Sequence, residues 1–383
     1  MNLSAALVLV SSGPGGSFWL SDATLSLADG FITGINRTDK LNPVIDTRAE
    51  GIALLVPGFV DSHCHGGGGG SFPSGDVAQA RLAAGFHLHH GTTSLLASLV
   101  TAPHAELLAA CEQLAPLVAE GILAGLHLEG PYLSHLRCGA QDPRWLREPD
   151  PHEISELFAA ARGTIRQVTI APELPGAIDA IHQITGLGAV AALGHTNAEA
   201  HHVDAAVAAG ARVATHFGNA MPPLHHREAN ATASILTNPL LVCELIVDGH
   251  HLSEPMFHIA TRTAGTGRWS LITDAIGATG QPDGQYVLGS QPVTVQNGEA
   301  RLTNDPHAAL AGSLLTMDQA VRNAITWGAN PIDVFEGASL TGASTLGLPH
   351  ATGRIAIGAP ADIVGLNAAY EVTAVWKCGI RIS

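Results

Sequence analysis

From residue 54 onward the chain alternates short, continuous apolar runs with longer segments of helical periodicity. The runs are "LLVPGFV" (54–60), "TSLLASLV" (93–100), "ILAGLHL" (122–128), "QVTIAP" (167–172), "AVAALGH" (189–195), "RVATHF" (212–217), "CELIVDG" (243–249) and "WSLITDA" (269–275). Most are followed by a helix-period segment such as "HAELLAACEQLAPLVAE" (104–120), in which Leu107, Leu108, Cys111, Leu114, Leu117 and Val118 fall on one face. Continuous apolar strands alternating with amphipathic helices predict a parallel sheet covered by helices. Eight such units over roughly 280 residues fit an α/β protein with a closed (β/α)8 TIM-like barrel better than an open sheet.

The two ends of the chain have a different texture. "TLSLADGFITGI" (24–35) alternates apolar and polar positions about Asp29-Gly30, which predicts a type I′ hairpin. Near the C-terminus, "TGRIAIGAPADIVGLN" (352–367) and "YEVTAVWKCGIRI" (370–382) return to strand-like alternation. These segments are expected to join, so that 1–55 and 345–383 form a small β-sandwich domain and 56–344 the barrel.

Composition narrows the function classes. Hydrophobic residues make up 46% of the 383 positions but aromatics only 4%, so Ala, Leu, Val and Ile must fill a large core. A formal charge of −15 argues against nucleic acid and anionic membrane surfaces as partners, and an anionic ligand would have to be met locally by Arg, His and backbone N–H groups. Five scattered cysteines fit reduced thiols better than a disulfide framework. The start "MNLSAALVLVSSG" lacks the basic region and apolar length of a signal peptide, and no stretch approaches 18 uninterrupted apolar residues. A cytoplasmic location is expected.

In a barrel of this type the chemistry gathers at the C-terminal ends of the strands. Those ends carry Asp61, His63 and His65 on the first strand, and His127 and Glu129 on the third. His195 ends the fifth strand, His216 the sixth and Asp274 the eighth. The two-residue pleat sends His63 and His65 to one face and Cys64 to the other. A lone histidine at a loop is most often a hydrogen-bonded loop residue. Five or more imidazoles and carboxylates at one rim read instead as a metal centre.

The motifs "PGFVDSHCHGGGG", "HLEGPYLS", "GHTNA", "THFGNAMPP", "VDGHHLS", "ITDAIGATG", "LAGSLLTMDQAVRN" and "TGRIAIGAPADIV" run in this order from residue 57 to 364. In them the chain resembles the amidohydrolase superfamily, and within it the N-acetylglucosamine-6-phosphate deacetylase family. The resemblance implies that Glu129, His195 and His216 hold one divalent metal, while His63 and His65, with Glu129 and Asp274, hold a second. Zinc is the expected ion, with iron or manganese as alternatives and one or two ions per subunit. Many two-metal members of the superfamily bridge their ions with a carboxylated lysine. The only lysines here are Lys40 and Lys377, both in the predicted small domain, so a bridge in the barrel must be a carboxylate, for which Glu129 is placed.

The implied activity is metal-dependent hydrolysis of N-acetylglucosamine 6-phosphate to glucosamine 6-phosphate and acetate, a step of amino-sugar catabolism or cell-wall recycling. Asp274 would act as general base and then general acid. Ala140, Gln141, Asn219, Ala220, Arg227, Asp248, His251, Leu310, Ala311 and Gly312 are the implied substrate contacts, with Arg227 suited to phosphate by its planar fork. In family members the loop "PPLHHREAN" reaches a neighbouring subunit, which implies a homodimer. The family more often carries His at the position of Gln141. His127 is read as support for Glu129, and Cys138 is given no catalytic role. The pairs His89–His90, His201–His202 and His225–His226 are assigned to the surface. The alternative is an amidohydrolase acting on another N-acyl sugar or an N-acyl amino acid, which would need the same metal site but not Arg227.

Overall fold

The computed structural model describes residues 1–13, 15–37, 45–303, 305, 307, 309–348 and 352–383; Lys40 lies outside them. Eight strands form one parallel sheet. They are β1 Phe59–Asp61, β2 Thr92–Leu99, β3 Gly125–Glu129, β4 Ile165–Ile170, β5 Val190–Leu193, β6 Val213–Ala214, β7 Val242–Leu245 and β8 Trp269–Leu271, hydrogen-bonded in chain order. Beyond the strand ends the ring is joined by a parallel bridge between Cys64 and Ala275 and by the Asp274 N–H, which donates to the His63 carbonyl at 2.8 Å. A helix follows each of the first seven strands: Val77–His89, His104–Ala119, Pro151–Ala160, Ala177–Gly186, Ala200–Ala208, Ala231–Thr237 and Glu254–Ala264. The expected (β/α)8 barrel is therefore present, with one run of the sequence behind each strand. On the helix His104–Ala119 the buried face is Leu107, Ala110, Cys111, Leu114, Ala115 and Leu117, and Leu108 and Val118 are only half-buried at its margins.

The apolar runs conceal an alternation. On β3, Leu126 and Leu128 point one way while His127 and Glu129 point into the barrel. On β4 and β7, Gln167 and Glu244 meet across the interior, Gln167 Nε2 donating to Glu244 Oε1 at 3.0 Å. The barrel is thus lined by polar side chains beneath its C-terminal rim, where such barrels more often stack branched aliphatic residues.

The five-glycine run after β1 forms a hairpin, Gly66–Gly67 paired with Gly70–Ser71, turning on Gly68 (φ 60°) and Gly69 (φ 91°). A Cβ on Gly66 would lie 2.3 Å from the Gly70 carbonyl, and one on Gly70 would lie 2.2 Å from the Gln79 carbonyl. Only glycine allows this approach. The hairpin lies against the segment after β8, Gly68 and Gly69 donating to the carbonyls of Thr279 and Gly277 at 2.8 and 2.9 Å.

The terminal segments share a second sheet in the order Ile380–Arg381, Val372–Lys377, Ile363–Leu366, Leu54–Pro57, Asn2–Ser11, Ser17–Ala28 and Phe31–Arg37, with Ile45–Asp46 beside Asn2–Ser11. Asp29 (φ 52°) and Gly30 (φ 83°) make the predicted two-residue turn between Ser17–Ala28 and Phe31–Arg37. Leu3, Val8, Leu25, Ile32, Ile363 and Trp376 form the core of this part. A three-stranded antiparallel sheet, Gly284–Leu288, Gln291–Gln296 and Glu299–Leu302, interrupts the chain after β8 and was not foreseen from the sequence. It buries Ala311 among Val100, Ile276, Leu288, Val293 and Val295.

The chain divides into two compact units. One comprises Met1–Asp61, His87–Ser94 and Thr316–Ser383, and the other Ser62–Phe86 and Leu95–Leu315. Every residue assigned above to metal, substrate or proton transfer lies in the second, while Asp61 ends a segment of the first. Among the described residues, no helix is long and apolar enough to cross a membrane.

Candidate metal centre

Six side chains from five strand ends converge. Glu129 Oε1 lies 3.0 Å from both His195 Nε2 and His216 Nε2, and those two nitrogens are 3.1 Å apart. The other carboxylate oxygen, Oε2, lies 3.1 Å from His65 Nε2. His65 Nε2 is in turn 3.1 Å from His63 Nε2 and 3.3 Å from Asp274 Oδ1. The ligand atoms therefore fall into two groups, Glu129 with His195 and His216, and His63 with His65 and Asp274, each within 4.8 Å. Glu129 reaches both. His195 (φ 47°), His216 (φ 31°) and Asp274 (φ 51°) all leave their strands with left-handed backbone, a costly conformation for non-glycine residues that concentrates at functional sites.

Two of the four imidazoles have their outward-facing nitrogen fixed from behind by a backbone carbonyl. His195 Nδ1 donates to the Arg137 carbonyl at 2.9 Å and His65 Nδ1 to the Ser98 carbonyl at 3.1 Å. With the proton on Nδ1, each neutral ring presents a bare Nε2 lone pair to the centre. Glu173 braces the turn after His195 by accepting from Thr196 Oγ1 at 2.5 Å and from the Asn197 N–H at 2.6 Å. His127 has both nitrogens engaged, Nδ1 2.9 Å from Ser98 Oγ and Nε2 2.8 Å from Thr169 Oγ1, so it supports the layer beneath and offers no ligand. Cys64 points away, its thiol 3.4 Å from the Gly66 carbonyl.

Above the clusters is a cavity of about 240 Å³, lined among others by Glu129, Asp274, Asn219, His251 and Leu310. Ala140, Gln141, Ala220 and Gly312 also border it. Asp248 does not line it but accepts His251 Nδ1–H at 2.6 Å and the backbone N–H of His251 at 2.8 Å, orienting that ring. Ala311 is not brought to the cavity, because its side chain packs under the three-stranded sheet. Arg227 is exposed on the loop before Ala231–Thr237 and does not line the cavity of its own chain. Gln141 proves to be committed inward: its Oε1 accepts the Thr101 N–H at 2.8 Å and its Nε2 donates to Glu129 Oε2 at 2.6 Å.

The sequence profile of the amidohydrolase family matches residues 54–380. The chain belongs to that family. It is similar to the N-acetylglucosamine-6-phosphate deacetylase of Vibrio furnissii, 34% identical over 95% of this chain and 92% of the relative. It is also similar to the N-acetylgalactosamine-6-phosphate deacetylase of Escherichia coli, 34% identical over 94% of this chain and 95% of that one. Among solved structures, a mutant N-acetyl-D-glucosamine-6-phosphate deacetylase of Mycobacterium smegmatis, in complex with N-acetyl-D-glucosamine-6-phosphate, superposes with a TM-score of 0.92. It is 39% identical, over 100% of this chain and 98% of that one. As an amidohydrolase the chain is a hydrolase of a metal-dependent family, and its two donor groups can be tested against that expectation.

The electrostatics fit. Burial penalises charge on His63 and His65, yet the carboxylates of Glu129 and Asp274 outweigh it and lift both imidazoles above their ordinary range, His65 to about 9. Burial likewise works against the charges of Glu129 and Asp274, and the facing imidazoles hold both below the usual carboxylate range. Burial pushes His127 and His216 down. Bare nitrogens aimed at one another around two buried carboxylates are a donor set for a cation, which takes the place of the protons the cluster otherwise draws in. Sequence reasoning missed the supports of this centre, Ser98 and Glu173, and the buried Glu244 beneath it, whose one signal was a charged residue inside the apolar run "CELIV".

Proposed function

We propose that this amidohydrolase removes the acetyl group of N-acetylglucosamine 6-phosphate, giving glucosamine 6-phosphate and acetate. One observation carries the reading. Glu129 offers one oxygen to His195 and His216 and the other to His65, beside Asp274, at a cavity sized for a small polar ligand. Glu129, His195 and His216 would hold one divalent metal, and His63, His65 and Asp274, sharing Glu129, a second. Imidazole and carboxylate donors suit zinc, with iron or manganese as alternatives. When bound, the metal supplies Lewis-acid polarisation of the acetyl carbonyl and acidifies a water.

The chain's own groups do the rest. Asp274, ionised by virtue of its imidazole neighbours and facing the cavity, accepts a proton from the attacking water. It then delivers that proton to the amide nitrogen as the C–N bond breaks, so the amine does not have to leave as an anion. His251, held by Asp248 and lifted above its ordinary range by that carboxylate against burial, donates to the substrate from the cavity wall. Asn219, Ala220, Ala140, Leu310 and Gly312 shape the sugar site.

Arg227 takes the phosphate, in the active site of a second subunit. Its exposure outside its own cavity supports a homodimer in which the loop is exchanged. Five cysteines outside any disulfide support residence in the cytoplasm. A second reading, the C4 epimer N-acetylgalactosamine 6-phosphate, is favoured by the similarity to the Escherichia coli relative.

The test is acetate release from both phosphorylated epimers and from free N-acetylglucosamine, for the wild type and Arg227→Ala. The loss on Arg227→Ala should fall almost wholly on the phosphorylated sugars, by at least ~10-fold in kcat/KM, about the worth of one charge-assisted hydrogen bond. Equal losses for phosphorylated and free sugar reject Arg227 as the phosphate ligand. A strong preference for the galactose epimer replaces the first substrate by the second.

A further inference from the structure

Beneath the metal centre, on β7, the barrel encloses a carboxylate that no part of the mechanism uses. Glu244 is 1% exposed. Its Oε1 is fixed by two donors from across the barrel, Ser62 Oγ at 2.5 Å and Gln167 Nε2 at 3.0 Å. That anchoring aims Oε2 at the ring of His63, whose Nδ1 is 3.8 Å away, while the same ring's Nε2 faces His65 and Asp274. A charge buried this deeply persists only where its partners compensate the lost hydration.

We propose that Glu244 is the positioning residue of the His63 ligand, pairing with its Nδ1–H so that the bare Nε2 is presented to the second metal. The inference rests on the two-metal reading of the centre. His65 and His195 are oriented by backbone carbonyls, of Ser98 and Arg137. His63 differs in facing an anion. An imidazole backed by a carboxylate is a more basic ligand and is locked in one tautomer, and outer partners of this kind are commonly worth 10–100-fold in metal affinity. At 3.8 Å the contact is too long for a hydrogen bond, so its effect is electrostatic, the carboxylate favouring the neutral tautomer that turns its N–H dipole toward Oε2. Gln167 and Ser62 serve this arrangement by occupying the other oxygen, leaving Oε2 no competing partner among the donors that anchor Oε1.

Glu244→Gln is the informative substitution. With its oxygen still accepting from Ser62 and Gln167, the new amide would turn its N–H groups, in place of the negative charge, toward His63 Nδ1. A ring proton at Nδ1 is then disfavoured and shifts toward Nε2, the atom that should bind metal. Calorimetric titration of metal-stripped full-length protein with zinc should show two equivalents in the wild type. In Glu244→Gln the first should bind unchanged and the second at least ~10-fold more weakly. His63→Ala should lose the same equivalent, and adding Glu244→Gln to it should cost nothing further, the signature of a residue acting through another. Two equivalents at wild-type affinity in Glu244→Gln, or a loss that adds in full to that of His63→Ala, would overturn the inference. Should Glu244→Gln not fold, Glu244→Asp keeps the charge but withdraws it by one methylene. It should weaken the second equivalent alone, and wild-type affinity there contradicts the proposal. A wild type that takes up only one equivalent overturns the two-metal reading and this inference with it, an outcome distinct from failure of the variant alone.

Discussion

The residues that meet at the centre are those that end apolar runs. Their convergence was legible because a barrel places every strand end at one rim, whatever the separation in sequence. His63 and His65 follow from the two-residue pleat, and their Nε2 atoms stand 3.1 Å apart. What periodicity does not encode is the partner across the barrel. Gln141 borders the cavity, and both ends of its amide are bonded to Thr101 and Glu129, partners that periodicity does not show. Glu244, averaged into an apolar run, meets Gln167 from a strand three places away in the sheet. The residue whose role is most open to direct test is Asp274. If it carries the proton, Asp274→Asn should retain the metal bound by Glu129, His195 and His216 while kcat falls at least ~10²-fold. Near-normal turnover with metal retained would remove it from the mechanism.

At the level of elements, local signals were reliable where the backbone itself demanded a residue type. Asp29-Gly30 announced a turn with two positive φ angles, and the hairpin has them. The glycines after His65 form a second hairpin whose close contacts exclude a side chain. Gly70→Ala should therefore cost about 1–3 kcal/mol by overpacking against Gln79. Gly85→Ala, on the helix Val77–His89 with nothing within 4 Å of the new Cβ, should instead stabilise by about 0.5–1 kcal/mol. Urea midpoints for the two variants check this, and equal effects would contradict it. The three-stranded sheet after β8 was overlooked although Asn297 (φ 54°) and Gly298 (φ 81°), between Gln291–Gln296 and Glu299–Leu302, carry the same kind of turn signal.

The helix Met317–Thr326 supplies a pH test away from the metal centre. Burial raises the Asp318 carboxyl, but hydrogen bonds from His90 and Thr316 and the charges of His90 and Arg322 outweigh it, bringing Asp318 from 3.8 down to about 2. A depressed folded-state value means that this stability is present above the unfolded value and is lost as pH falls towards the folded one. Asp318→Asn should cost about 2 kcal/mol near neutral pH, and the difference from wild type should shrink between about pH 4 and pH 2. A gap that stays constant across that window would contradict the assignment.

For the whole molecule, the alternation of runs and helices was enough to place a barrel and a terminal β sheet, because each run had to be buried on both faces. The balance of charge adds a constraint that no single element shows. With a formal charge of −15 the chain repels anions at long range, so recognition of the proposed sugar phosphate would depend on a few local donors such as His251 and Arg227. Of the two lysines in 383 residues, Lys377 lies in the terminal sheet and Lys40 outside the described residues, and among the described residues Glu129 is the carboxylate that touches both clusters.

The central claim is metal-dependent deacetylation at these clusters. Its most direct test is acetate release from N-acetylglucosamine 6-phosphate by protein stripped with a chelator and then reloaded with zinc. Stripping should abolish release, and it should return in proportion to metal bound, up to two equivalents per chain. Undiminished release by the stripped protein, or none from either N-acetylhexosamine 6-phosphate by the fully loaded protein, would contradict the claim.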